Sequence, residues 1–450
     1  MPPFLSPSPT ILIPNLPPKT LVGIDLITFT STANFHGIRD LPNGWHFLYS
    51  GTTETLSLRC GGWFYVGDIN TLQASHDGAI VPTRRADLGP EVVIWKWNAD
   101  TESLIPLKGD NDADKQEAMR HKANPGAVWQ SGGLFRYRSR VPSPLVGKQI
   151  PMQDEIDEEL EEEGKSNWDG LTNRLSPALL SRIIGDPEWD VDGRPRWMVT
   201  SAGTANKDSE EIPGIANSAE AFNDSGGAIE EQDEFTFLPI DLKRTWREGA
   251  IGRERTEAAQ DRSWALGDLI LRYSSTIEDT KDNISGEAQI LGELQFCFLM
   301  TLTLMNYSCL QQWKRLLGLI LTCRSAIKDR ELFFRDFLAL LLLQLKRCDD
   351  VDGGLFEIDG DEGGRFLRKL LMKFKILLHE VVGDTGSIVK TEFEKLERWV
   401  QEELDWELNR DAFVRKGMFQ LEDGEEVELE MEDDEDDETG EYAPMVVETE

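Results

Sequence analysis

The chain has 450 residues, 40% of them hydrophobic, and a formal net charge of −35. That length holds two or three domains, each able to bury a core. The charge argues against a phosphate-binding surface, which needs clustered Lys and Arg: the densest basic runs, Lys243-Arg244 and Arg253 to Arg255, are short and interrupted by Glu. A role connected with RNA would therefore run through a protein partner.

The acid is unevenly placed. Residues 418–450 carry 16 acidic side chains and no Lys or Arg, and Asp154 to Glu163 hold eight acids in ten residues. Such blocks repel themselves and read as a tail and a linker. The five cysteines (Cys60, Cys297, Cys309, Cys323, Cys348) form no C-x-x-C pair and read as small buried thiols of a reducing compartment. The start, MPPFLSPSPTILIP, lacks the basic n-region of a signal peptide. Cytoplasm and nucleus are the expected locations.

In chain order, residues 10–100 carry strand and turn signals. Thr10 to Ile13 and Leu21 to Phe29 are β-branched or apolar between Pro and Gly, and Leu41-Pro42-Asn43-Gly44 is a turn leading into Trp45 to Tyr49. Cys60 to Val66 and Glu91 to Trp97 continue the short strands, a spacing that suits a small sandwich or barrel. Asp112 to Lys122 predicts a short helix closing this domain.

After the acidic run, Leu171, Leu175, Leu179, Leu180, Ile183 and Ile184 recur at helical spacing up to Gly185, a stop. Residues 201–233 are Ser, Gly, Asn, Glu and Asp with one aromatic, Phe222, and predict a flexible insertion. Helices follow near 256–278, 286–305, 308–326, 330–347, 363–382 and 388–406. The fold class is α+β and multidomain. It comprises a β-rich sandwich-like domain (1–150), an acidic linker (151–165), an all-α superhelical domain (166–410) and a disordered acidic tail (411–450).

Leu294 to Trp313 is an uncharged run of 20 residues, long enough to span a bilayer. Gln295, Thr301, Thr303, Asn306, Ser308, Gln311 and Gln312 lie within it and make it a poor insertion substrate. Leu294, Cys297, Phe298, Leu302, Met305, Cys309 and Trp313 form a wide apolar stripe instead. The run reads as a helix in the core of a bundle, with Trp313 inside and Lys314 and Arg315 on the solvated side.

The five histidines are scattered, and neither H-E-x-x-H, G-x-x-x-x-G-K-[ST] nor G-x-S-x-G occurs. Asp110, Asp112 and Asp114 alternate as in a calcium loop, but Lys115 stands where the turn needs Gly; Asp359 and Asp361 run on to Leu370 where a bidentate Glu belongs. No catalytic residue, metal site or cofactor is expected. Asp25, His36 and His46 are the candidates if the β-rich domain hides an enzyme.

Several stretches resemble one family. Gly23-Ile24-Asp25, Phe35-His36-Gly37-Ile38 and Leu41-Pro42-Asn43-Gly44-Trp45-His46-Phe47-Leu48 are followed by Leu291-Gly292-Glu293-Leu294-Gln295-Phe296 and Gln312-Trp313-Lys314-Arg315-Leu316-Leu317. Together with the terminal Tyr442, Ala443, Pro444, Met445, Val446 and Val447, they resemble the Aar-two splicing factor family. The resemblance implies a β-rich domain, a VHS-like helical domain and no catalysis. It implies an assembly chaperone of the U5 small nuclear ribonucleoprotein that holds the spliceosomal scaffold, pre-mRNA-processing-splicing factor eight, by its RNase H-like and MPN-type domains. The tail, Tyr442 to Val447, would add a strand between those domains, and the spliceosomal RNA helicase would be kept off. Strand addition suits a β-prone patch on a charged leash, with Pro444 confined to an edge. A peptide-binding adaptor is the alternative.

Overall fold

The computed structural model of the chain describes residues 8–52, 58–69, 72–74, 80–82, 91–123, 128, 132–139, 153–205, 208, 234–276, 283–348, 355–356, 364–383, 386–408, 415–420 and 426–431. Side chains are described for all of these except 72–74, 80–82, 153–158, 275–276, 283–284, 415–420 and 426–431. The tail patch Tyr442 to Val447 and the Asp359–Asp361 loop lie outside the described residues.

The chain opens with β1 (Thr10–Leu12), β2 (Leu21–Ile24), β3 (Ile27–Thr30), β4 (Gly37–Arg39), β5 (Gly44–Gly51) and β6 (Arg59–Val66). Next come β7 (Leu72–Ala74), β8 (Ile80–Pro82), β9 (Val92–Asn98), β10 (Ser103–Pro106), α1 (Asp112–Ala123) and β11 (Leu134–Arg136). The stretch Leu21 to Phe29 is two strands, because Asp25 turns the chain with φ at 57°. Then follow α2 (Gln153–Thr172), α3 (Pro177–Ile184), β12 (Glu188–Trp189) and β13 (Pro195–Thr200). Beyond them lie α4 (Arg253–Gln260), α5 (Ser263–Arg272), β14 (Ser275–Thr276), β15 (Asn283–Ile284), α6 (Gly286–Leu304) and α7 (Tyr307–Ile320). The last elements are α8 (Ala326–Asp329), α9 (Glu331–Lys346), α10 (Arg365–Val382), α11 (Ile388–Glu403), β16 (Arg415–Gln420) and β17 (Glu426–Met431).

A sheet of order β10-β9-β1-β4-β11 faces one of order β12-β13-β6-β5-β2-β3. The central strands of the second sheet are buried on both faces. In β5 and β6, Leu48, Phe64 and Val66 point into the sandwich beside Ile11, Val22 and Trp95. Their neighbours Trp45, Phe47, Tyr49, Trp63 and Tyr65 point the other way, onto the helices. This is the period-two alternation of a strand. Gly61 and Gly62 make room for it: a Cβ on Gly61 would stand 2.7 Å from the Phe47 ring, and one on Gly62 2.7 Å from Trp95.

The helical layer is built around α6, where 17 of 19 residues are buried. It touches α2, α3, α5, α7, α9 and β6, so apolar side chains are needed all round it rather than on one stripe. The polar residues of the run bond locally or to neighbours. Thr301 and Thr303 donate to the carbonyls of Cys297 and Leu299 at 2.8 and 2.7 Å. Met305, with φ at 56°, ends the helix, and Asn306 caps the next by accepting from Cys309 N at 2.9 Å. Among the described residues no helix is long and apolar enough to cross a membrane.

Three expected boundaries change. Residues 153–172 form one helix, so the acidic run is not an open linker from Gln153 onward; Glu161 accepts from Ser139 N at 2.9 Å and packs α2 on the sandwich. Strand β13 pairs antiparallel with β6, Trp197 opposite Trp63, so the sheet draws on residues well past 150. The insertion at 201–233 begins as fixed structure. Asn306 Nδ2 donates to Gly203 O at 2.8 Å, Ala205 N donates to Ser308 Oγ at 3.2 Å, and buried Asp208 pairs with buried Arg315. Arg315 is therefore internal rather than solvated, while Trp313 lies in the core as its spacing predicts.

Candidate functional site

The two motifs of the helical layer form its internal wiring. Glu293 is fully buried, 2.8 Å from Nη1 of Arg182; it accepts from Leu238 N at 3.0 Å and from Gln312 Nε2 at 2.7 Å. Burial pushes its carboxyl up, with Arg182 and the donors pulling against it. Gln295 accepts from Arg174 N at 3.0 Å and donates to Gly170 O and Asn173 Oδ1, both at 2.8 Å. Gly292 lets α6 approach this corner: a Cβ there would meet Arg174 O at 2.8 Å. Trp313 Nε1 donates to Gln344 Oε1 at 3.0 Å, and Lys314 sits 5.4 Å above the Phe366 ring. Together these contacts lock α6, α7 and the 234–242 segment into one arrangement.

The structure brings Asp25 and His46 together and leaves His36 apart, exposed at the start of β4. Asp25 Oδ1 accepts from Phe47 N at 2.9 Å, while its Oδ2 accepts from the Tyr137 hydroxyl at 2.6 Å and lies 2.8 Å from His46 Nδ1. His46 Nε2 lies 2.9 Å from Pro42 O. Both ring nitrogens thus face acceptors. Burial alone would lower the imidazole pKa, but the Asp25 charge and the two acceptors outweigh it and raise it. The cluster holds the β2–β3 turn to β5; it is sealed, with Asp25 and His46 nearly inaccessible. Among the described residues no group of three or more His, Cys, Asp and Glu is placed to hold a metal ion.

A cleft lies elsewhere, where β6 and β13 meet the start of α3. Ser176 caps α3 by accepting from Leu179 N at 3.1 Å, and Pro177 at its first position sets the wall. The cleft is about 570 Å³, lined by Tyr65, Ile69, Pro177, Pro187, Trp189 and Trp197 among others. Trp189 is 59% exposed. The Tyr65 hydroxyl is buried with no hydrogen-bond partner among the described residues. Burial, with the Asp169 and Asp68 carboxylates, pushes its phenol up to about 12, so it remains an O–H donor. The aromatic and proline walls, with Asp68, Asp192, Arg194 and Arg196 also lining the cleft, fit an extended peptide with an apolar side chain and polar groups beside it. No spacing rule marked it; the density of Pro and Trp over 177–197 was the available signal.

The chain is thus an α+β protein in which a two-sheet sandwich shares one core with a helical layer. The AAR2 N-terminal domain matches residues 7–185 and the AAR2 C-terminal repeat region matches 237–409. Relatives called Protein AAR2 homolog include one of Mus musculus, 25% identical over 346 residues, and one of Homo sapiens, 21% identical over 346; each alignment covers 75% of both chains. One of Caenorhabditis elegans is 20% identical over 417 residues, covering 89% of this chain and 95% of its own. The chain belongs to the AAR2 family, the Aar-two family that its motifs resemble. Membership supports a splicing-related role.

Proposed function

We propose that the chain is a non-enzymatic assembly chaperone of the U5 small nuclear ribonucleoprotein, acting in cytoplasm and nucleus. It binds the spliceosomal scaffold, pre-mRNA-processing-splicing factor eight, through the RNase H-like and MPN-type domains and keeps the spliceosomal RNA helicase away. The observation that carries this reading is the match of both AAR2 regions in order, laid over one continuous core rather than over two loosely joined pieces. Occupation of a partner suits a molecule whose family motifs serve its own rigidity. Tyr442, Ala443, Pro444, Met445, Val446 and Val447 supply the added strand.

Purified protein should retain both scaffold domains on a column, and deletion of 440–450 should weaken the bridge between them. Failure to retain either domain would overturn the proposal.

The cleft favours a second reading, a peptide-binding adaptor. In that case Trp189→Ala would abolish capture of every partner, whereas under the first reading the scaffold stays bound through other surfaces.

A further inference from the structure

The hairpin of β12 and β13 holds an aromatic ring in water from a fixed position. Asp190 Oδ1 accepts from Asp192 N and Arg194 N, each at 2.9 Å, and its Oδ2 pairs with Arg196. Val191 N donates to Leu107 O at 2.8 Å, and Gly193, with φ at 68°, closes the turn. Lys122 pairs with Asp192 and Glu91 with Arg194, which ties the hairpin to α1 and to the residue before β9. Trp189 nevertheless stands well exposed on this frame. A lone exposed ring would mean little, but this one borders the cleft between the hairpin and the start of α3.

The floor of the cleft is a sheet face, not a sheet edge. Tyr65 and Trp197 lie on the helix-facing side, edge-on against Trp45 with ring centroids 5.4 and 5.7 Å away. Trp197 Nε1 donates to Ser181 Oγ at 2.9 Å, whereas the buried Tyr65 hydroxyl has no partner among the described residues. An orphaned buried donor is a standing cost that an incoming acceptor removes. The charges of the wall are matched within the chain. Asp192 is held by Lys122, Arg194 by Glu91 and Arg196 by Asp190, and Asp68 lies near enough to Arg194 to support its charge. Two carboxylates and two guanidinium groups line the cleft, so it is neutral in a chain of net charge −35. Such a wall suits an uncharged occupant, because an unmatched charge brought against it would lose its water without gaining a partner.

We infer that the cleft receives an uncharged, proline-rich segment of another protein in the polyproline II conformation; this rests on the adaptor reading and names the peptide it takes. A main chain laid across a sheet face cannot join a strand ladder, so its N–H groups would go unpaired against Trp189, Trp197, Pro177 and Pro187. Proline has no N–H to lose. Its ring packs flat on the exposed Trp189, and a carbonyl of the segment accepts from the Tyr65 hydroxyl. A polyproline II segment is extended before it binds, which keeps the ordering cost low, and the pinned hairpin keeps it low on this side as well. The cleft volume of about 570 Å³ is that of a ligand site.

The test uses the full chain and a dye-labelled decaproline peptide, followed by fluorescence anisotropy. Saturable binding is expected, and Trp189→Ala, at an exposed position, should weaken it about tenfold or more. Tyr65→Phe keeps the ring and removes only an unpartnered hydroxyl, so binding should weaken about three- to tenfold while the thermal midpoint does not fall. Unchanged binding by Tyr65→Phe, or weaker binding together with a lower midpoint, would overturn the proposal. A labelled pool of uncharged ten-residue peptides without proline separates the two readings. If that pool binds through Trp189 as tightly as decaproline or more so, the proline inference falls and the adaptor reading stands. If nothing binds in a way that depends on Trp189, both fall.

Discussion

At the scale of single residues, Glu293 has the most to lose. Its carboxylate serves Arg182, Leu238 N and Gln312 from a site without solvent. Glu293→Ala leaves a guanidinium and two donors without their acceptor, a change that costs about 3–5 kcal/mol; the urea midpoint checks it, and a loss below 1 kcal/mol would contradict the wiring. His46 adds a pH dependence whose sign follows from its raised pKa. A group that binds its proton more tightly when folded stabilises fully below its unfolded value of 6.5, and the contribution is lost as pH rises through the folded value. Stability should therefore fall from pH 6 to pH 8 in the native chain and fall less in His46→Gln, as urea unfolding at the two pH values would show. The sequence pointed to Asp25 and His46 as side chains of interest. It could not show that they meet, because their partner Tyr137 lies 112 residues from Asp25 and reaches it only once β11 has joined the sheet.

At the scale of elements, periodicity showed what one element can show about itself. The helix near 388–406 was legible because burial on one helical face repeats every three or four residues, whereas the all-round burial of the helix near 286–305 shows only once its neighbours are in place. Strands β5 and β6 were legible from aromatic density and the flanking turn signals. Strand β13 was not: Pro195 to Thr200 is short, follows two helices, and acquires meaning only by pairing with β6. The cleft was hidden for the same reason, since Tyr65 and Trp189 become neighbours through that pairing. A fragment ending at residue 186 should accordingly fail to fold, with the β6 edge unpaired and the aromatic face of Trp45 and Trp63 uncovered; a sharp, protected amide spectrum from it would contradict this. Gly292→Ala, which drives a methyl against Arg174 O, should destabilise by about 1–3 kcal/mol in thermal unfolding.

At the scale of the whole molecule, the sheet and the helices share a core that runs from Trp45 and Trp63 through Trp168 and α6 to Val400. Calorimetry should find one cooperative transition for this body, because neither layer can expose that face alone; two separable transitions would contradict a shared core. Such rigidity suits a protein that occupies a partner. The most direct measurement is capture of the tagged chain from native extract at low salt, with the bound proteins identified by mass spectrometry. The account predicts the spliceosomal scaffold in the eluate and the RNA helicase missing from it; an eluate without the scaffold, or with scaffold and helicase together, would contradict it.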